Sequence, residues 1–308
     1  MKPYDVTVVG EIYIDHVFTG FAAWPQPGEE VFTDQYVQEI GGGAANTACG
    51  LARLGRSVRL VGAIGAKDAT WFNSRLDEFG VSGDMLTLCE DRTGVTVSVS
   101  TVEDRSFFTY LGANNRLAGL LQGAALLEQM KQSRHVHFAM PLDPHTAIHI
   151  LPELRSAGCT TSLDVGFQPK WLRDPESLIA CRATDYFLPN EREASVVCGG
   201  DAVDYLRFAE EQGLSRGVLK LGPRGAAMST GGKRYTVPSP DIAVVDTTGA
   251  GDAFDAGFID ALLDDAGPED CLRRACICGG LSTQMAGALS GLPLREQIGS
   301  LYEQTYAS

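Results

Sequence analysis

The chain has 308 residues, 44 % hydrophobic and 21 % charged, which suits one large α/β domain or two small ones. A net charge of −14 argues against nucleic acid or an anionic membrane as partner, and requires that a phosphate ligand be held by local dipoles and a metal ion. No apolar run of roughly 18 residues occurs, so no membrane span is expected.

In chain order, Met1–Asp5 leads directly into the apolar run Val6–Val9, with no basic or long apolar leader, so no signal peptide is expected. Val6–Val9 is a predicted strand. Ile12 to Val37 mixes strand-like residues with Pro25, Pro27 and Gly28. Gly41, Gly42 and Gly43 then open a helix of small residues, Ala44–Leu54, and Gly55 closes it. Val58–Val61 predicts a strand and Ala69–Phe79 a helix. From Thr93 to Val102 the valines at 95, 97 and 99 alternate with polar residues at 96, 98 and 100, the pattern of a strand with one wet face. Glu103-Asp104-Arg105 turns it into Ser106–Tyr110, a hairpin.

Helices are next expected at Gly123–Lys131, His145–Ser156 and Ala202–Gln212. Strands are expected at Val136–Phe138, Thr160–Leu163, Tyr186–Leu188 and Val218–Leu221. Near the end, Val244-Val245 reads as a strand. It runs through the small residues 246–251 into a helix marked by Phe254, Phe258, Ile259, Leu262 and Leu263. Strand and helix alternate, which predicts βαβ units and a mostly parallel sheet covered on both faces. With no linker, repeat or long charge run, residues 1–308 read as one domain with a small antiparallel sheet beside the main one. Eight cysteines with no CxxC are read as scattered thiols of a reducing, cytoplasmic compartment.

Two glycine turns carry the chemistry. In the first, Gly42-Gly43-Ala44-Ala45-Asn46, glycines let a ligand approach the backbone, and Asn46 lies one turn into the helix. In the second, Asp246-Thr247-Thr248-Gly249-Ala250-Gly251-Asp252, exposed amides at a helix start make an anion site with a carboxylate beside it. Asp252 also has a bland reading, because acids are favoured at helix N-termini. Neither GxGxxG nor GxxxxGK[ST] occurs, which disfavours a dinucleotide-dependent oxidoreductase and excludes a P-loop enzyme.

Together these turns resemble the two signatures of the PfkB (ribokinase-like) family of carbohydrate kinases. Asp15, Pro27-Gly28-Glu29, Gly112-Ala113-Asn114, the NxxE stretch Asn190–Glu193 and Leu219–Ala226 match further family stretches. The resemblance implies a three-layer α/β/α fold with a β-sheet lid made from segments near 12–38 and 93–111. It implies transfer of the ATP γ-phosphoryl group to a sugar hydroxyl, with Asp252 as base and the amides of Gly249, Ala250, Gly251 and Asp252 as anion hole. Asp15, Gly42, Gly43, Asn46 and Asn114 would hold the sugar. Asn190, Lys220, Gly222, Gly225, Thr248, Gly249 and Gly251 would hold ATP. Asn190 and Glu193 would act on Mg²⁺ through water, and Asp246, Thr248 and Gly287 retain part of a K⁺ site. Alternatives are a nucleoside kinase of the same family and a non-catalytic sugar-binding protein on this fold.

Some residues depart from the family pattern. Asp164–Trp171 lacks the Asn and Arg of the Asp-Pro-Asn-x-Arg stretch of many sugar kinases, and Lys220 stands where threonine is common. Lys220 could reach phosphate or extend to solvent. Asp255 is expected on a solvated helix face, and the histidines at 16, 135, 137, 145 and 149 as ordinary polar or core residues. Trp24, Phe107 and Phe108 either cover the sugar or pack on a second lid in a homodimer.

Overall fold

The computed structural model describes residues 2–102, 105–214 and 216–306. Its strands are β1 (Tyr4–Gly10), β2 (Tyr13–Phe21), β3 (Tyr36–Gly41), β4 (Val58–Gly65), β5 (Leu86–Cys89), β6 (Gly94–Thr101) and β7 (Arg105–Tyr110). They continue with β8 (Ser133–Ala139), β9 (Thr160–Asp164), β10 (Tyr186–Phe187), β11 (Gly217–Lys220), β12 (Ala226–Thr230) and β13 (Lys233–Val237). Nine form one sheet in the order β13-β12-β11-β10-β9-β8-β1-β4-β5. From β11 to β5 every pairing is parallel, and β12 and β13 close one edge antiparallel. Every residue of β4 is buried, as expected for a parallel strand covered on both faces. No helix among the described residues is long and apolar enough to cross a membrane.

The stretches 12–38 and 93–111 supply a second sheet, β3-β2-β6-β7. It is not purely antiparallel, because β2 pairs with β6 in parallel. Each follows a strand of the large sheet, β1 and β5, and leaves by the same carboxyl edge, so both run outward. The wet face of β6 is also reversed. Ser98 is buried at 5 % exposure while Val95, Val97 and Val99 are half-buried. The register puts Thr96 opposite Asp15 and Val97 opposite His16 and Phe108, so the polar side of β6 shares its face with Asp15 and the valines face outward. The turn residues Glu103 and Asp104 lie outside the described residues.

Val244 and Val245 form no strand. They are 61 % and 67 % exposed, and the amides of Val245 and Asp246 both donate to the Thr283 carbonyl at the end of a helix. Two apolar residues in a row mark a cleft rim here.

Two helices bring the glycine turns together. Helix Ala250–Leu263 is buried nearly all round, the pattern of a central helix. It packs on helix Gly43–Arg53 through small residues: a Cβ on Gly50 would stand 2.9 Å from that of Ala256. On its other side, a Cβ on Gly257 would stand 2.6 Å from Cys278 Sγ. Gly50→Val should therefore force the two motif helices apart. We expect it to cost about 1–3 kcal/mol in urea denaturation and to lower activity along with stability.

Candidate functional site

Asp15 hangs from β2 just beyond the carboxyl end of β1. The bend between them is fixed by Asn114, whose Oδ1 accepts from the Ile12 amide at 3.0 Å and whose Nδ2 donates to the Ile12 carbonyl at 2.8 Å. Each end of this amide holds one backbone group, so Asn114 shapes the strand carrying Asp15 while a second N–H and a second lone pair remain for a ligand. Each glycine of the first turn has its own reason. A Cβ on Gly41 would lie 2.0 Å from Asp15 Oδ2. Gly42 has φ 93°, and a Cβ there would lie 2.3 Å from the Glu11 carbonyl oxygen. Gly43 faces Asp252, with a Cβ position 3.3 Å from its Oδ1.

The second turn meets the first across the helix pair. Gly249, at φ 73°, caps helix Ala250–Leu263, and a Cβ there would stand 2.7 Å from that of Ala288. The Ala250 amide closes a turn onto the Thr247 carbonyl at 3.2 Å, so it is already occupied. First-turn amides lack intrahelical acceptors, which leaves Gly251 and Asp252 best suited to an anion. Asn46 Nδ2 donates to Asp252 Oδ2 at 2.8 Å. Asn46 is only 6 % exposed, yet its Oδ1 has no partner among the described residues.

The electrostatics are strained. Burial pushes Asp15 up to about 7, helped by the charges of Asp252 and Glu39. Burial raises Asp252 to about 6, Asn46 opposes this, and Asp164 and Lys220 pull in opposite directions. Glu39 is tied to Arg75, whose Nε donates at 2.9 Å.

Beside this acidic corner opens a cleft of about 720 Å³. Asn190, Glu193, Lys220, Gly222, Gly225, Gly251 and Asp252 line it, together with Val244, Thr247 and Phe254. Thr248 and Gly249 are not in its wall. The Thr248 hydroxyl donates to Asp246 Oδ1 at 2.7 Å, and Gly249 packs on Ala288. Asn190 and Glu193 start helix Glu191–Cys198 as a reciprocal capping box, with the Asn190 amide donating to Glu193 Oε2 at 2.9 Å and its Nδ2 to Oε1 at 2.7 Å. Burial, with nearby Asp164, raises Glu193 to about 7. Excess negative charge around Asp164 and Glu193 is an environment that a divalent cation relieves, and Glu193's engaged oxygens suit contact through water.

The Asp246 carboxylate takes the Gly287 amide at 2.9 Å, the Thr248 amide at 2.9 Å and Arg105 of β7 at 2.9 Å. Arg105 thereby links the second sheet to the Asp-Thr-Thr loop, a contact the sequence did not suggest. Asp255 does not lie on a solvated helix face. It is 0 % exposed and faces Lys220, which does not reach solvent either. The available signal was its neighbourhood: between Ala253 and Leu263 only Asp255 and Asp260 are polar, and a helix so apolar has no wet face. His135 and His137 are buried and bonded to Ser162 Oγ, each at 2.7 Å.

The family model described as pfkB family carbohydrate kinase matches residues 4–295. The ribokinase of Bacillus subtilis (strain 168) is 30 % identical over 301 residues, 96 % of this chain and 99 % of that protein. The 2-dehydro-3-deoxygluconokinase of the same organism is 28 % identical over 282 residues, 85 % and 86 % of the two chains. The structure of Arabidopsis thaliana ribokinase complexed with ribose and ATP superposes with a TM-score of 0.85 at 26 % identity, covering 97 % of this chain and 98 % of that one.

A carboxyl raised by burial opposes folding wherever it must ionise. Asp15 binds its proton more tightly in the folded chain than in the unfolded one. Its cost is therefore largest above pH 7 and fades as pH falls toward the ordinary carboxylate range. Asp15→Asn should raise Tm at pH 8 by about 2 °C or more. The gain should shrink at pH 5.5, as read by scanning calorimetry.

Proposed function

The chain belongs to the pfkB family of carbohydrate kinases, and on that premise we propose how its residues divide the reaction. The enzyme transfers the ATP γ-phosphoryl group to a sugar hydroxyl. Asp252 takes the proton of that hydroxyl as it attacks. The amides of the Gly249–Asp252 turn, chiefly those of Gly251 and Asp252, receive the charge that develops on the phosphoryl oxygens. Asp15 and Asn46 orient the sugar, against the bare backbone of Gly42 and Gly43. The observation that carries this reading is Asn46: one end of its amide holds Asp252, and the other is a buried acceptor waiting for a hydroxyl.

ATP is proposed to occupy the cleft beside this corner, over Lys220, Gly222, Gly225 and Gly251, while Thr248 and Gly249 shape the turn. Mg²⁺ would be held through water by Asn190 and Glu193, and when bound it offsets charge between the phosphates. The chain is read as one kinase unit, with the four-stranded sheet as a lid over the acceptor. Arg105 already offsets the charge of Asp246, so a K⁺ ion at Asp246, Thr248 and Gly287 would rely on backbone carbonyls, and its effect should be modest. Half-exposed valines on the outer lid face, with Phe108 and Trp24 stacked at 6.0 Å, support pairing of two lids in a homodimer. A cytoplasmic location accords with eight free thiols.

The field of Asp15, Asp252 and Glu39 favours an uncharged acceptor over a sugar acid or sugar phosphate. The ribokinase relatives put ribose first. An ADP-release screen over pentoses, hexoses, sugar acids, sugar phosphates and nucleosides should find a neutral sugar best. A nucleoside or an acid as the best acceptor would contradict this. Asp15→Ala should raise KM for that sugar at least about tenfold, because each hydroxyl bond to a charged group is worth about 1.5–3 kcal/mol. The kcat/KM profile should fall on the acid side near pH 6, where Asp252 of the free enzyme takes up its proton. Replacing K⁺ with tetramethylammonium should change kcat no more than a few-fold.

A further inference from the structure

Lys220 closes β11 directly beneath the second glycine turn. Its Nζ lies 2.5 Å from Asp164 Oδ2, 2.7 Å from Asp255 Oδ1 and 3.3 Å from the Gly251 carbonyl oxygen. Those oxygens come from β9 and from the first turns of helix Ala250–Leu263, so one ammonium joins two strands of the sheet to the helix. The residue is 8 % exposed. Asp255 meets it as a close ion pair without a well-directed hydrogen bond. A lysine held this way is not free to follow a ligand, since leaving would strand Asp164 without its counter-charge.

We propose that Lys220 is a positioning residue for phosphoryl transfer: clamped by Asp164 and Asp255, it ties the Gly251 carbonyl, and with it the anion-site turn, to the sheet, and it supplies the fixed positive charge in whose field Asp252 works. The proposal rests on the reading of Asp252 as the base. The charged and titratable groups around the pair are Asp164 from β9, Asp255 from the helix, Glu193 from helix Glu191–Cys198, His137 from β8 and Asp15 from β2. His137 is kept neutral by burial, so Lys220 is the one cation of this set at neutral pH. Lys220 favours the ionised form of Asp252 and Asp164 disfavours it. Burial pushes Asp255 strongly up, Lys220 opposes this, and Asp164 adds to the rise.

The signs give a test with opposed arms. Lys220→Met should move the acid limb of kcat/KM for the best sugar upward by about one pH unit, and Asp164→Asn should move it downward. The double variant, which leaves neither charge unopposed, should return it close to the wild-type position. Lys220→Met should also lower kcat about tenfold or more with ATP KM changed much less, because the turn it anchors acts in the transition state. If Lys220→Met fails to fold, Asp164→Asn and the double variant carry the test. A rise in ATP KM with the acid limb unmoved would overturn the proposal in favour of a simple phosphate ligand. A fall in Tm with limb, kcat and KM all unmoved would overturn it in favour of a purely structural role. Wild-type enzyme with no sugar-dependent ADP release would instead contradict the kinase reading on which this rests.

Discussion

A 2.8 Å hydrogen bond between Asn46 and Asp252 joins residues 206 positions apart, and the geometry of the site depends on it. It forms because two helices of small residues can approach closely. Gly50 meets Ala256, Gly43 leaves room for the Asp252 carboxylate, and Gly257 lets a third helix close from behind. Larger residues at these positions would separate the two turns, and the proposed acceptor corner and anion site need both. The packing is thus a condition for the chemistry and carries little chemistry itself.

The same closeness creates an electrostatic cost. Asp15 and Asp252 are both raised by burial, and Asp252's charge adds to the rise at Asp15. Nearby, Glu193 is raised and Asp164 is lowered, the latter mainly by Lys220. The carboxyl edge of the sheet therefore collects buried acids with one lysine among them. In the proposed reaction, a substrate hydroxyl, a phosphate at the helix start and a metal ion would each relieve part of this strain. Perturbed acids gathered at one sheet edge cost folding stability and mark that edge as a functional-site candidate.

Much of the framework was legible in the sequence, for reasons that differ by element. The strand at Val6–Val9 and the helix at Ala69–Phe79, closed by Gly80 at φ 76°, announce themselves through apolar runs and punctuation. The two glycine motifs could be paired because only their combination is specific. What stayed hidden depended on contacts between distant segments. Val244-Val245 has the hydropathy of a strand, and only the neighbouring Thr283 shows why it is a rim. The valines of β6 follow a period of two, but that period does not say which face meets the polar corner. Asp255 and Lys220 look like surface charges until the fold puts them against each other. Arg105 reaches Asp246 only once the second sheet stands over the first.

The most direct test of the central claim, that Asp252 removes the proton of the attacking hydroxyl, is single-turnover phosphorylation of the best sugar by Asp252→Asn. The asparagine keeps the size of the side chain and leaves the backbone amides in place. With ATP affinity and Tm near those of the parent enzyme, the rate should fall by at least about 100-fold. A variant that turns over within a few-fold of the parent would contradict the account.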